Sequence, residues 1–171
     1  MRKIIFFIIS ALFLIGLLFL LSMFLPSKTS VTKSIGINAP SSEVYKYVND
    51  FQSWPEWFLP MQDSSVTISF DKEQETVTLT DLKQKKLIFE KLPSASDTIN
   101  IALRSRSASE VFYQFILIPQ NAQNTQLVLN VNTHFKWYPW EKIKGVFQDK
   151  MSGPMYQKSI LQLEKAVEGK E

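Results

Sequence analysis

The chain contains no cysteine, a single histidine and only five glycines in 171 residues. The missing thiol excludes disulfides, thiolate metal sites, a cysteine nucleophile and a lipidated cysteine at a membrane boundary, and it leaves the redox compartment unread. One histidine gives a Ser-His-Asp arrangement a single candidate base, His134, and gives a histidine metal site no second ligand. Its strand sets Leu127, Leu129, Val131, Thr133 and Phe135 on one face and Gln126, Asn130, Asn132 and His134 on the other, so His134 is expected on the outer surface, away from any pocket. No phosphate- or dinucleotide-binding motif occurs, no catalytic residue is assigned, and no metal or other cofactor is expected. Strong charge of one sign is also missing. Arg2 and Lys3 account for two of the 19 basic residues, so 17 remain against 16 acidic ones and residues 27–171 carry a net +1. That near-neutrality, with Lys83, Lys85 and Lys86 too short a run to form a groove, argues against a nucleic-acid partner.

What the chain does have is apolar bulk. The hydrophobic fraction is 45%, with 13 Phe, 5 Tyr and 4 Trp, enough to close one core without staples. From Ile4 to Leu25 there is no charge. At about 1.5 Å per residue this stretch makes a helix of about 33 Å, against a hydrocarbon thickness of roughly 30 Å. A cleaved signal peptide is the alternative, but its apolar region is usually shorter and ends in small residues, where this chain has Met23-Phe24-Leu25-Pro26. Residues 1–26 are therefore expected to anchor the chain, with residues 27–171 forming one domain. Arg2 and Lys3 favour a cytoplasmic N-terminus with the domain on the far side; Lys28 and Lys33 nearly balance them and keep the opposite orientation open.

Beyond the anchor, Val31, Ile35 and Ile37 alternate in strand period. Asn38-Ala39-Pro40 stops that strand and opens a short helix to about Asp50; Pro55 opens a second, which Pro60 ends. A hairpin over 66–70 and 77–80 follows, then strand-like runs at 86–92, 98–104, 111–118 and 126–137. The connections are too short for crossover helices, which predicts an antiparallel sheet of about seven strands. Tyr138-Pro139-Trp140 begins a long amphipathic helix in which Ile143, Phe147, Met151, Met155, Ile160, Leu163 and Val167 recur, with a bend expected at Gly153-Pro154.

The opening of this domain, Ser34-Ile35-Gly36-Ile37-Asn38-Ala39-Pro40 with Val44-Tyr45-Lys46-Tyr47-Val48-Asn49-Asp50-Phe51 and Trp54-Pro55-Glu56-Trp57, resembles the START-related polyketide cyclase/dehydrase (SRPBCC) superfamily, and its leader resembles that of membrane-anchored bacterial members. The resemblance spans roughly residues 31–168. It implies an α+β helix-grip fold, with the sheet curved around the last helix and a cavity between them that often takes an apolar ligand. It implies no single reaction. Trp57, Phe58, Phe70, Phe89, Tyr113, Phe115, Phe135, Phe147, Met151 and Met155 are the expected ligand-lining residues, because aromatic and methionine side chains can contour an irregular apolar molecule. Glu90, Arg104 and Arg106 are candidate polar anchors, although surface charge is their commoner role and strand alternation favours a surface position for Arg104.

The expected function is a membrane-tethered binding module for an apolar or amphipathic, lipid-like small molecule. The alternatives are a cyclase, aromatase or hydrolase using the same cavity, and a protein-interaction domain with a filled core. Oligomeric state and ligand identity are not legible.

Overall fold

A computed structural model describes residues 2–169 apart from 74, 96, 107 and 108. Helix α1 (Arg2–Met23) is 22 residues long, exposed along nearly all its length, and long and apolar enough to cross a membrane. Next come β1 (Lys28–Ile37), α2 (Ser41–Asn49), α3 (Trp54–Trp57), β2 (Thr67–Asp71), β3 (Thr76–Thr80), β4 (Lys86–Leu92), β5 (Thr98–Ser105), β6 (Glu110–Asn121), β7 (Asn124–His134), α4 (Pro139–Val146) and α5 (Gln148–Glu168). The seven strands form one antiparallel sheet in the order β1-β7-β6-β5-β4-β3-β2.

Period-two patterning decides which face is covered. Along β7 buried and half-buried residues alternate without a break, and Leu127, Leu129 and Val131 point inward together with Tyr113, Phe115 and Leu117 of β6. Ile99 and Ile101 of β5, Phe89 of β4 and Val77 and Leu79 of β3 continue that face across the sheet. The strands are longer than their alternation alone suggests at the β6–β7 turn. Pro119 lies within β6, beside a register irregularity between Pro119 and Asn121, the kind of position where a residue without an amide is tolerated.

Three helices cover this face. Helix α2 starts at Pro40, whose carbonyl accepts from the amides of Glu43 and Val44 at 3.0 and 3.3 Å, and it buries Val44 and Val48. Helix α3 lies between two 3-10 turns, Phe51–Ser53 and Leu59–Met61, and buries Trp54 and Trp57. Helix α5 packs chiefly along β1 and against α3, burying Tyr156, Ser159, Ile160 and Leu163, and it ends on Gly169 at φ 64°, the left-handed conformation that glycine adopts without a Cβ penalty.

The closing helix departs from the expected single rod. It breaks at Phe147 (φ −99°, ψ 2°) into α4 and α5, whereas α5 runs on through Gly153 and Pro154. Proline there removes only the amide that would bond the Lys150 carbonyl, and its ring sits on the exposed side of the helix. Gly153 serves another purpose: a Cβ would come within 2.6 Å of Asp149 Oδ1, and Asp149 holds Lys33 Nζ at 3.0 Å. That pair lies between α5 and the inner face of β1, and a side chain at 153 would have to displace it.

Candidate functional site: the interior of the grip

The space between sheet and helices is occupied by rings. Trp54 sits at its centre, with ring centroids 4.8–5.9 Å from Phe51, Trp57, Phe58, Phe89 and Phe115. Most of these pairs meet edge to face, the arrangement the ring quadrupole favours. The Trp54 indole donates to the Val48 carbonyl at 2.9 Å, which ties α3 to α2. Leu59 N donates to Ser159 Oγ at 3.2 Å and ties the following turn to α5.

Within this apolar interior lie a few polar atoms. Trp57 is fully buried, yet its indole N–H meets no acceptor among the described residues. Tyr113 and Tyr156 face each other across the grip with centroids 5.9 Å apart, and their hydroxyls interact, Tyr156 also with Ser152. Burial pushes the Tyr113 hydroxyl well above the ordinary 10.0, helped by the Tyr156 phenol beside it. Tyr156 is also raised, chiefly by burial. Both are neutral hydrogen-bonding groups at physiological pH, so neither supplies a base. Among the described residues no group of three or more His, Cys, Asp or Glu is arranged to hold a metal.

These shifts set a sign for alkaline stability. A raised folded value means the unfolded phenols release their protons first, above about pH 10, while the folded ones hold theirs. The stabilisation is complete below the unfolded value and is lost as pH rises toward the folded one. Circular dichroism followed with phenolate absorbance should show Tyr113 ionising only as the chain unfolds, and Tyr113→Phe should move the alkaline midpoint upward. Ionisation of Tyr113 in a fully folded chain would contradict its placement.

The structure sorts the expected lining residues. Trp57, Phe58, Phe89, Tyr113 and Phe115 meet in the interior, each no more than 3% exposed. Met155 is half-buried and packs against them. Phe70 shares the inner face through its pairing with Val77 but lies on the edge strand and is 39% exposed. It borders a groove of about 210 Å³ with Phe51, Asp71 and Lys91, whose ammonium lies 5.6 Å from the centre of the Phe51 ring. Phe135 follows the end of β7 and lies against α4: a Cβ on Gly145 would fall 2.5 Å from its ring.

Phe147 and Met151 do not face the interior. They are 50% and 72% exposed, because the break at Phe147 separates the stripe they belong to from the face that covers the sheet. The interior residues absent from the expected lining are Trp54 and Tyr156, the second of which helical spacing from Ile160 and Leu163 would have placed on the inner face.

Arg104 and Glu90 pair with each other on the outer face at 3.3 Å, and Arg106 is exposed beyond them. An exposed pair of this kind contributes at most about 1 kcal/mol. His134 is also on the outer face, where its ring lies 5.3 Å from Phe112. His134→Ala should cost about 1 kcal/mol through that ring contact and leave any binding inside the grip unchanged. Calorimetry and a binding titration check both halves, and lost binding would mean the strand faces are misassigned.

A seven-stranded antiparallel sheet gripping a C-terminal helix defines the helix-grip class. The profile of a family described as polyketide cyclase / dehydrase and lipid transport matches residues 28–168, and the chain belongs to it and to the START-related SRPBCC superfamily. Solved structures agree on the fold. A START superfamily protein from Mycobacterium smegmatis superposes with a TM-score of 0.62 at 18% identity, over 82% of this chain and 97% of its own. An aromatase/cyclase from a Streptomyces species gives 0.63 at 14%, over 82% and 94%. Norcoclaurine synthase from Thalictrum flavum, in complex with dopamine and hydroxybenzaldehyde, gives 0.57 at 10%, over 84% and 88%. A comparison with curated protein sequences gives no match.

Proposed function

We propose that this protein is a membrane-tethered module that binds an apolar or amphipathic small molecule inside the grip. Residues 1–26 are the anchor and residues 27–171 the binding domain, held on the far side of the membrane from a cytoplasmic N-terminus. One observation carries the reading: the Trp57 indole N–H, fully buried and without an acceptor among the described residues, inside an otherwise apolar ring cluster. Leaving such a donor unpaired costs about 1–3 kcal/mol, which an acceptor on a bound molecule recovers. The Tyr113 and Tyr156 hydroxyls supply the other placed polar groups, and a few such groups among apolar walls are what small-molecule sites use.

The groove beside Phe51 and Phe70 is the entrance. Its volume of about 210 Å³ falls short of the roughly 300–1,000 Å³ that hold a drug-sized ligand. Binding therefore requires Phe51, Trp54 and α3 to give way, and α3 is a four-residue helix suited to doing so. Tunnelling inward, the chain of rings runs from Phe51 to Trp54 and from there to Trp57 and Phe58. A carrier role is favoured over catalysis because the interior offers neutral phenols and an indole, with no buried acid or base beside them among the described residues.

Native mass spectrometry of the full chain, released gently from its membrane, tests this. The reading expects a one-to-one adduct of a hydrophobic small molecule that an apolar competitor displaces. A bare chain that also takes up no apolar probe would favour an interaction domain with a permanently filled core.

A further inference from the structure

The stripe that failed to face the sheet remains to be placed. Trp140, Ile143, Phe147 and Met151 recur at helical spacing and are 56, 43, 50 and 72% exposed; Trp137 and Val146 beside them are 70 and 56% exposed. Large apolar side chains exposed singly are ordinary, but a connected patch of this kind marks an interaction surface. The patch is also held in position. Gly145, on the opposite side of α4, lies so close to the Phe135 ring that no side chain fits between them, and its carbonyl accepts from Thr29 Oγ1 at 3.4 Å. Helix α4 is thus seated on the domain by one face and presents the other outward.

The patch continues directly into α1. The Trp137 ring lies 6.0 Å from Phe19, and Lys142 Nζ donates at 3.1 Å to the carbonyl of Ser22 in the last turn of α1. The Ser22 carbonyl also accepts from the Leu25 amide at 3.2 Å, so Lys142 adds a second, charged donor, and a cation there suits the negative end of the helix dipole. Trp137, Tyr138 and Trp140 form a row, with successive centroids 5.3 and 5.1 Å apart. Trp137 lies beside the end of α1, and Tyr138 and Trp140 continue the row from it.

We propose that α4 and the first turn of α5 dock side-on into the headgroup–acyl boundary of the bilayer that α1 crosses. The occupant is lipid, and the surface rests on the tether reading above. An α1 that spans hydrocarbon brings its C-terminal turn to the membrane surface, and the Trp-Tyr-Trp row then stands at headgroup depth, where amphipathic aromatic rings concentrate. Ile143, Phe147 and Met151 enter the acyl edge, as the apolar face of an interfacial helix does. The charges fit as well. Lys136, Lys144 and Lys150 flank the stripe, while Glu141 is engaged by Lys144 at 2.9 Å and by Ser109, and Asp149 by Lys33. The stripe leads on to Met155, which packs on the interior cluster, so the docked surface and the gripped space are joined along one helix.

The test uses the full chain in vesicles of phosphatidylcholine and phosphatidylglycerol carrying phospholipids brominated either near the headgroup end of the acyl chain or near its methyl end. Two of the four tryptophans, Trp137 and Trp140, belong to the patch, so shallow bromine should remove about half of the indole emission and deep bromine clearly less. Trp54 and Trp57, both fully buried, are the internal control. Replacing Trp137→Phe together with Trp140→Phe should abolish the quenching, and alkaline extraction of both proteins is measured alongside. Wild-type protein that resists alkali yet shows no bromine quenching overturns the docking while leaving the tether standing. Extraction by alkali overturns the tether and the docking with it. Absent quenching with concentration-dependent self-association would assign the patch to a second copy of the chain.

Discussion

Trp54→Ala is expected to leave the protein unfolded or nearly so. The substitution removes a ring that contacts Phe51, Trp57, Phe58, Phe89 and Phe115, and the resulting void cannot close without moving the sheet or α3. Large-to-small changes of an aromatic core residue cost about 3–5 kcal/mol. The Val48 carbonyl also loses its indole donor, which adds about 1–3 kcal/mol for a buried acceptor left unpaired. Against a total stability of roughly 5–15 kcal/mol, the sum takes most of the margin. Denaturant titration of the variant beside wild type measures it. A loss below about 1 kcal/mol would mean that the rings fill a plastic space that rearranges around the change, and the grip would then have more slack than its packing shows.

The second large effect concerns α1. The full-length protein should stay in the membrane pellet through high-salt and alkaline washes, and a chain beginning at residue 27 should move to the supernatant. Each Leu, Ile, Phe or Val in a span favours insertion by about 0.3–0.6 kcal/mol, so a run as uniform as Ile4–Leu25 gathers several kcal/mol with no charge to offset it. Removing it should leave the fold intact, because the core cluster begins at Val31 and draws on no residue of α1. Full-length protein released by alkali would end the tether reading. Loss of folding in the shortened chain would show that the contacts of Phe19 and Ser22 with Trp137 and Lys142 contribute more to the domain than to its position.

Strand alternation was legible in the sequence because its period is short and each strand reports its own face. The inner positions Phe89, Tyr113, Phe115, Leu127, Leu129 and Val131 follow from counting in twos, and so do the outward placements of His134 and Arg104. The closing helix was legible as amphipathic but not as two pieces facing different ways. Its apolar residues from Ile143 to Val167 recur at steps that a single rod allows, and periodicity cannot say which apolar face meets protein and which meets something else. The break sits at Phe147, a residue with no intrinsic tendency to end a helix, while Pro154, which has one, is accommodated inside α5. Gly145, two residues before the break, lies against the Phe135 ring, and Gly153 lies beside the Lys33–Asp149 pair on α5.

The filling of the grip was likewise invisible beforehand. Composition shows that aromatic side chains are plentiful, but whether they line a space or occupy it depends on how far α3 descends between sheet and α5. In this structure Trp54, Trp57 and Phe58 descend fully and meet the rings of Phe89 and Phe115. The unpaired Trp57 donor could not be read from sequence at all, since it depends on which acceptors the fold leaves within reach.

Ligand binding inside the grip is measured most directly at that donor. In a spectrum of the indole N–H groups, addition of an apolar probe bearing one carbonyl acceptor should shift the Trp57 signal in a saturable way, disturb Trp54 as α3 yields, and leave Trp137 and Trp140 in place. A probe that shifts only Trp137 and Trp140, with Trp57 unmoved at saturation, would contradict binding in the interior and confine the apolar chemistry of this protein to its surface.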